Sequence, residues 1–135
     1  MTTNLERQLI RHEGLRLKPY RDTVGKLTIG VGRNLDDNGI SEQEAISMLR
    51  HDIATVKQEL ERYGWYNRLD PNRQDVIANM CFNMGLPTLL KFQRMIAAID
   101  NHDYNLAADE MLDSRWAEQV GQRAVELARI MREGL

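Results

Sequence analysis

Between Leu15 and Arg33 the sequence drops the helical spacing found on either side of it. "LKPY" and "KLTIGV" are strand-like runs around the turn "DTVG", and Pro19, with no N–H to give a ladder, suits an edge strand. The segment predicts a small exposed β-hairpin or meander, so any fold for this chain must seat a short sheet among helices. Leu5, Leu9 and Ile10, after the candidate caps Thr3 and Asn4, predict a first helix to about His12 with Gly14 as its stop. "DDNG" marks a tight loop. Ser41-Glu42-Gln43-Glu44 has the capping-box form, and Ile46, Leu49, Ile53, Val56 and Leu60 carry a long helix from it to about Arg62. Asp70 and Pro71 are a cap and first residue for the next helix, which Val76, Ile77, Met80, Cys81 and Met84 mark as central and buried; Gly85 ends it. Shorter helices are expected near 88–99, 103–113 and 122–132, with a break at Asp113-Ser114-Arg115-Trp116.

The fold class that follows is α+β and mainly helical, with a small N-terminal β lobe and a C-terminal helical lobe joined by the long helix. We expect one domain over residues 1–135, with 13–60 as β lobe plus connecting helix and 1–12 and 61–135 as the helical lobe. A cleft between the lobes would face the strand-rich segment.

Charge is unevenly spread. Residues 1–33 carry a local balance of +4, residues 34–64 of −4 and residues 65–135 of −2, for a net −2. The total gives no reason to expect nucleic acid as a partner, whereas the basic excess around residues 13–33 suits an anionic substrate or a plain solvated surface. Cys81 is the only cysteine, which excludes an intramolecular disulfide and suits a reducing compartment. The first residues have no apolar run of signal-peptide length and no stretch approaches a membrane span, so neither secretion by a leader nor membrane insertion is expected. Three scattered histidines have no metal-ligand spacing; no metal and no cofactor is expected. With no exposed heptad or obvious pairing strand, a monomer is the default.

Three residues in the segment have the makings of acid–base chemistry on a leaving-group oxygen. Glu13 closes the first helix, where the negative end of the dipole favours a protonated acid, the form needed to protonate a leaving oxygen. Asp22 sits at the turn, where solvent keeps a carboxylate ionised, and Thr28 on the returning strand offers a hydroxyl to orient water. The same three residues also fit an ordinary hairpin, since aspartate favours turns and threonine favours strands. Spacing alone leaves both readings open.

Identity adds what spacing does not. "EGLRLKPYRDTVGKLTIGVG", Glu13 to Gly32, resembles the catalytic segment of phage-type lysozymes, the endolysins: Glu13-Gly14, Arg16-Leu17, Tyr20, Asp22, Gly25, Thr28-Ile29-Gly30 and Gly32 match its pattern. "LRHDI", "ANMCFNMG" and "DSRW" extend the resemblance over nearly the whole chain. It implies hydrolysis of the β-1,4 bond between N-acetylmuramic acid and N-acetylglucosamine in peptidoglycan, by inversion, with Glu13 as general acid and Asp22 and Thr28 positioning water. It further implies substrate contacts at Phe82, Asn83, Arg115, Trp116, Gln119 and Arg123, the last pairing with Glu13. The implied setting is the host bacterial cytoplasm, with access to the wall after a separate membrane-permeabilising protein acts.

The chain departs from the pattern in four places. Arg33 stands where much of the family has His, so an Arg33–Asp52 ion pair is expected. Only "NLDDNGI" separates Arg33 from the capping box, so the β lobe is shortened. Val24 and Glu110 replace polar residues of different character at cleft positions, and the pI of about 5.9 is low for a protein that must hold an anionic wall. Two alternatives remain: a lytic transglycosylase on the same fold, which can dispense with the aspartate, and a non-catalytic peptidoglycan-binding protein. Intact Glu13, Asp22 and Thr28 weigh against both.

Overall fold

Thr3 opens the first helix, α1 (Asn4–Glu13), through a reciprocal capping box: its hydroxyl accepts the Glu6 N–H while the Glu6 carboxylate accepts the Thr3 N–H. The structure is a computed structural model and describes residues 1–135. Three antiparallel strands follow in the order β1 (Arg16–Arg21), β2 (Leu27–Gly30) and β3 (Arg33–Asn34). The β1–β2 register runs from Arg16↔Gly30 to Tyr20↔Thr28 with a shift between them, where Pro19 has no N–H to keep the ladder. Thr28 pairs on its other side with Asn34 and so lies in the middle strand.

A short helix, α2 (Leu35–Asn38), takes up most of the tight loop expected at "DDNG", with Asn34 accepting the Asp37 N–H as its cap. The long helix α3 (Glu42–Leu60) starts at the Ser41–Glu44 capping box. The chain divides into two compact units, the first Met1–Met48 and the second Leu49–Leu135. That division groups α1 with the sheet, where the sequence reading places residues 1–12 with the helical lobe.

The first unit has no apolar core. Thr28, 3% exposed, is its one side chain sealed from solvent, and α1 buries none of its residues. Backbone hydrogen bonds and ion pairs hold this unit in place of apolar packing.

The second unit is built differently. After α4 (Gly64–Asn67) comes the central α5 (Pro71–Met84), capped by Asp70 and ended at Gly85 as its sequence indicates. α6 (Leu86–Leu89), α7 (Gln93–Asp100), α8 (Tyr104–Leu112), α9 (Arg115–Val120) and α10 (Gln122–Glu133) surround it. α10 packs on α8, α5 and α9, and α7 packs on α8. Ile77, Met80, Leu89, Met95, Met111 and Met131 are fully enclosed in the shared core, each such side chain stabilising by about 1.5–3 kcal/mol. Four of these six are methionines.

Arg73 ties three helices of this unit together. Its Nε donates to the Met131 carbonyl (2.6 Å), a second nitrogen reaches the Arg132 carbonyl (3.1 Å), and its guanidinium lies 3.8 Å from the Tyr104 ring centre. It thereby satisfies free carbonyls at the end of α10 from a position on α5. The α+β, mainly helical class expected from the sequence is the class observed.

Candidate active site

Glu13 is the last residue of α1, exposed, followed by Gly14 at φ +81°. Its carboxylate lies against the backbone of Gly32: a Cβ built there would stand 2.9 Å from Glu13 Oε2. Gly32 also has φ +68°, so both the close approach and the backbone conformation call for glycine. The end of α1 and the end of the hairpin are thus brought together around one carboxyl group.

Asp22 begins the turn between β1 and β2. Its Oδ1 accepts the N–H groups of Val24 (3.0 Å) and Lys26 (2.8 Å), and its own N–H donates to the Lys26 carbonyl (2.9 Å). Oδ2 takes no hydrogen bond from the chain. Gly25, at φ +84°, closes the turn. Thr28 Oγ1 donates to that same Lys26 carbonyl at 2.9 Å. One peptide segment, at Lys26, therefore fixes both the aspartate and the threonine, a main-chain role that no side-chain pattern signals.

Arg33 corrects one expectation. Its guanidinium grips Glu44 with two parallel bonds of 2.8 and 2.7 Å, and also reaches the Gly39 carbonyl at 3.2 Å. Glu44, not Asp52, is the acid that holds it; Asp52 stands exposed on α3. The cause lies at the α3 N-terminus, where Glu44 is already fixed by accepting the Ser41 N–H at 2.9 Å, so the guanidinium meets a pre-ordered carboxylate. The Arg33 bonds and the Ser41 cap hold the Glu44 carboxyl down at about 2.

The other sequence-derived residues lie in the second unit. Arg115, Trp116 and Gln119 line a cavity of about 700 Å³ that Glu110 also borders. Ser114 caps α9 by accepting the Ala117 N–H, which sets Arg115 and Trp116 at the helix start. Trp116 is buried, edge-on to Phe92, and donates its indole N–H to Asn83 Oδ1 at 2.8 Å. Phe82 is 47% exposed despite its helical setting and borders a groove of about 380 Å³ together with Leu49, Asn79 and Arg123. Arg123 donates to Asn79 Oδ1 through Nε (3.0 Å) and a terminal nitrogen (2.7 Å). Asn79 has no place in the sequence reading.

No group of three or more His, Cys, Asp or Glu side chains stands where it could hold a metal ion. Burial pushes the Cys81 thiol up, which disfavours the thiolate a nucleophile needs. No helix is long and apolar enough to cross a membrane.

Residues 10–132 match the family model described as Phage lysozyme. The chain is similar to a protein named Probable T4-type lysozyme 2 of Dictyostelium discoideum, 28% identical over 99% of this chain and 96% of that protein. It is 32% identical to the Endolysin of Acyrthosiphon pisum secondary endosymbiont phage 1, over 84% of this chain and 78% of the endolysin. It also matches the Pre-baseplate central spike protein Gp5 of Enterobacteria phage T4, 28% identical over 97% of this chain but only 28% of that longer protein.

Proposed function

As the chain belongs to the phage lysozyme family and is a peptidoglycan-hydrolysing glycosidase, we propose that it cleaves with Glu13 as general acid and with Asp22 and Thr28 placing the attacking water. The bond cut is the β-1,4 link from N-acetylmuramic acid to N-acetylglucosamine. Glu13 delivers a proton to the glycosidic oxygen as the bond breaks. Asp22 Oδ2 accepts a hydrogen from water while the Thr28 oxygen orients the same molecule, and water attacks the face opposite the leaving group, inverting the anomeric carbon.

The observation that carries this reading is the shared anchorage of Asp22 and Thr28 on Lys26, which leaves one oxygen of the aspartate unengaged; Glu13 is held separately, its carboxylate lodged against Gly32. Phe82, Asn83, Arg115, Trp116, Gln119 and Arg123 are the proposed glycan contacts. Trp116 and Asn83 act as one unit through their hydrogen bond, and Arg123 is oriented by Asn79. The working protein is a monomer, made in the host cytoplasm and given access to the wall by a separate membrane-permeabilising protein.

Product analysis on purified peptidoglycan tests the mechanism. Wild type is expected to release muropeptides with reducing ends, and Glu13→Gln to lose activity by on the order of 10³-fold or more. Anhydromuramyl products would replace hydrolysis with transglycosylation and remove the water-placing role of Asp22. A fully active Glu13→Gln would overturn the assignment of the acid.

A further inference from the structure

α2 is absent from the expected outline of the chain, and its two consecutive acids make contacts that lead back to the site. Asp36 Oδ2 accepts the Leu27 N–H at 2.7 Å and stands 3.5 Å from the Arg21 guanidinium. Asp37 Oδ1 accepts from Lys26 Nζ at 3.1 Å, and its Oδ2 is steadied by the Asn34 amide at 2.9 Å. These two side chains therefore hold Lys26 and Leu27, the residues directly before Thr28. Through Arg21, Asp36 also reaches the residue directly before Asp22.

The geometry explains why a side-chain acceptor is needed there. β2 and β3 pair at Thr28↔Asn34, and the next position on β3 would be residue 35. The chain turns into α2 at that point, so no strand carbonyl remains for the Leu27 N–H. Asp36 supplies an oxygen in its place, and a charged acceptor makes the stronger bond. The first unit has no apolar core, so this polar link has no packing behind it to take over its work.

We propose that Asp36 and Asp37 are positioning residues for hydrolysis: they clamp the Lys26–Leu27 segment, and that segment sets both Asp22 and Thr28. The inference rests on the roles proposed for Asp22 and Thr28. The bond to Asp37 is also the chief cause that raises Lys26 above its usual pKa. Displacing a water-orienting group by a fraction of an ångström lowers turnover without altering how the glycan is held, so the signature is a loss in kcat at constant KM.

The test uses soluble, uncrosslinked glycan strands and two readouts, steady-state kinetics and backbone amide exchange, on the full chain. Asp36→Ala is expected to lower kcat by about 10- to 100-fold with KM within about twofold, and to speed exchange at the Lys26 N–H, which Asp22 accepts, by about tenfold. Asp36→Asn keeps an acceptor oxygen for Leu27 and is expected to recover most of the lost kcat. Asp109→Asn, which breaks an exposed ion pair with Arg132 in the second unit, is expected to leave both readouts unchanged. Wild-type kcat and wild-type Lys26 exchange in Asp36→Ala would overturn the inference, as would an Asp36→Asn no better than Asp36→Ala. Should Asp36→Ala fail to fold, Asp37→Ala removes the Lys26 side-chain anchor and the Asn34 amide contact while leaving the Leu27 bond in place, and is judged by the same two readouts. Glu13→Gln run alongside separates the two claims: full activity there sinks the proposed mechanism, while Lys26 exchange still decides whether Asp36 holds the turn.

Discussion

A methyl group added at Gly32 would stand 2.9 Å from the Glu13 carboxylate, on a backbone already at φ +68°. Gly32→Ala is therefore expected to cost about 1–2 kcal/mol of stability from backbone strain and to lower turnover by about tenfold or more by displacing the acid. Thermal unfolding and kcat measured on the same preparation check both. Glu44 gives a second expectation. Its folded pKa, about 2, lies below the usual 4.5, so the stabilisation from its bonds is whole above pH 4.5 and drains as pH falls toward 2. Arg33→Met is expected to flatten that acid limb, so that the thermal midpoint of wild type falls further than that of the variant across this window. At this scale the sequence is readable where a side chain acts through its own chemistry: Glu13, Asp22 and Thr28 stand where the hairpin reading sets them. It is silent where a backbone acts, as at Lys26. It misleads where one residue serves twice, because the capping box already accounts for Glu44 and leaves its remaining lone pairs uncounted.

Among the elements, long periodic or well-punctuated segments are legible in the sequence and very short ones are not. α1, α3 and α5 each begin at a named cap and end within two residues of the expected stop. α2 and α4 have four residues each and α9 six, too few turns for an apolar stripe to emerge. α9 nevertheless carries a local signal, since Ser114 before Arg115 is a favoured cap and Gly121 a favoured stop. The Ser114 hydroxyl accepts from Ala117 and donates to the Met111 carbonyl. Ser114→Ala is expected to lower stability by about 1 kcal/mol, read as a shift in urea midpoint without a change in slope.

For the molecule as a whole, the two units differ in what holds them. In the second, Arg73 joins α5 to the end of α10 and to Tyr104 on α8, and its side chain is only 14% exposed. Arg73→Met keeps much of the volume but strands the Met131 and Arg132 carbonyls, at an expected cost of about 2–4 kcal/mol. Urea unfolding followed by Trp65 and Trp116 fluorescence reports on this unit, since both indoles are buried in its core. Composition foretells that a core can form, and apolar spacing where its central helix lies. Neither hints that the first unit lacks one, because the apolar positions of α1 and of the first turns of α3 have the same spacing as buried ones.

The thioethers at the centre of the second unit have a consequence for descent. Met80, Met95, Met111 and Met131 are unbranched and bend to fill irregular space, so a neighbour that gains or loses a methyl group is met by a change of rotamer in place of a void. A core of this kind tolerates drift. Single substitutions in the helices around it are therefore expected to cost less than the same changes against a core of branched side chains, whereas the turn at Asp22 and the glycine against Glu13 have no such slack.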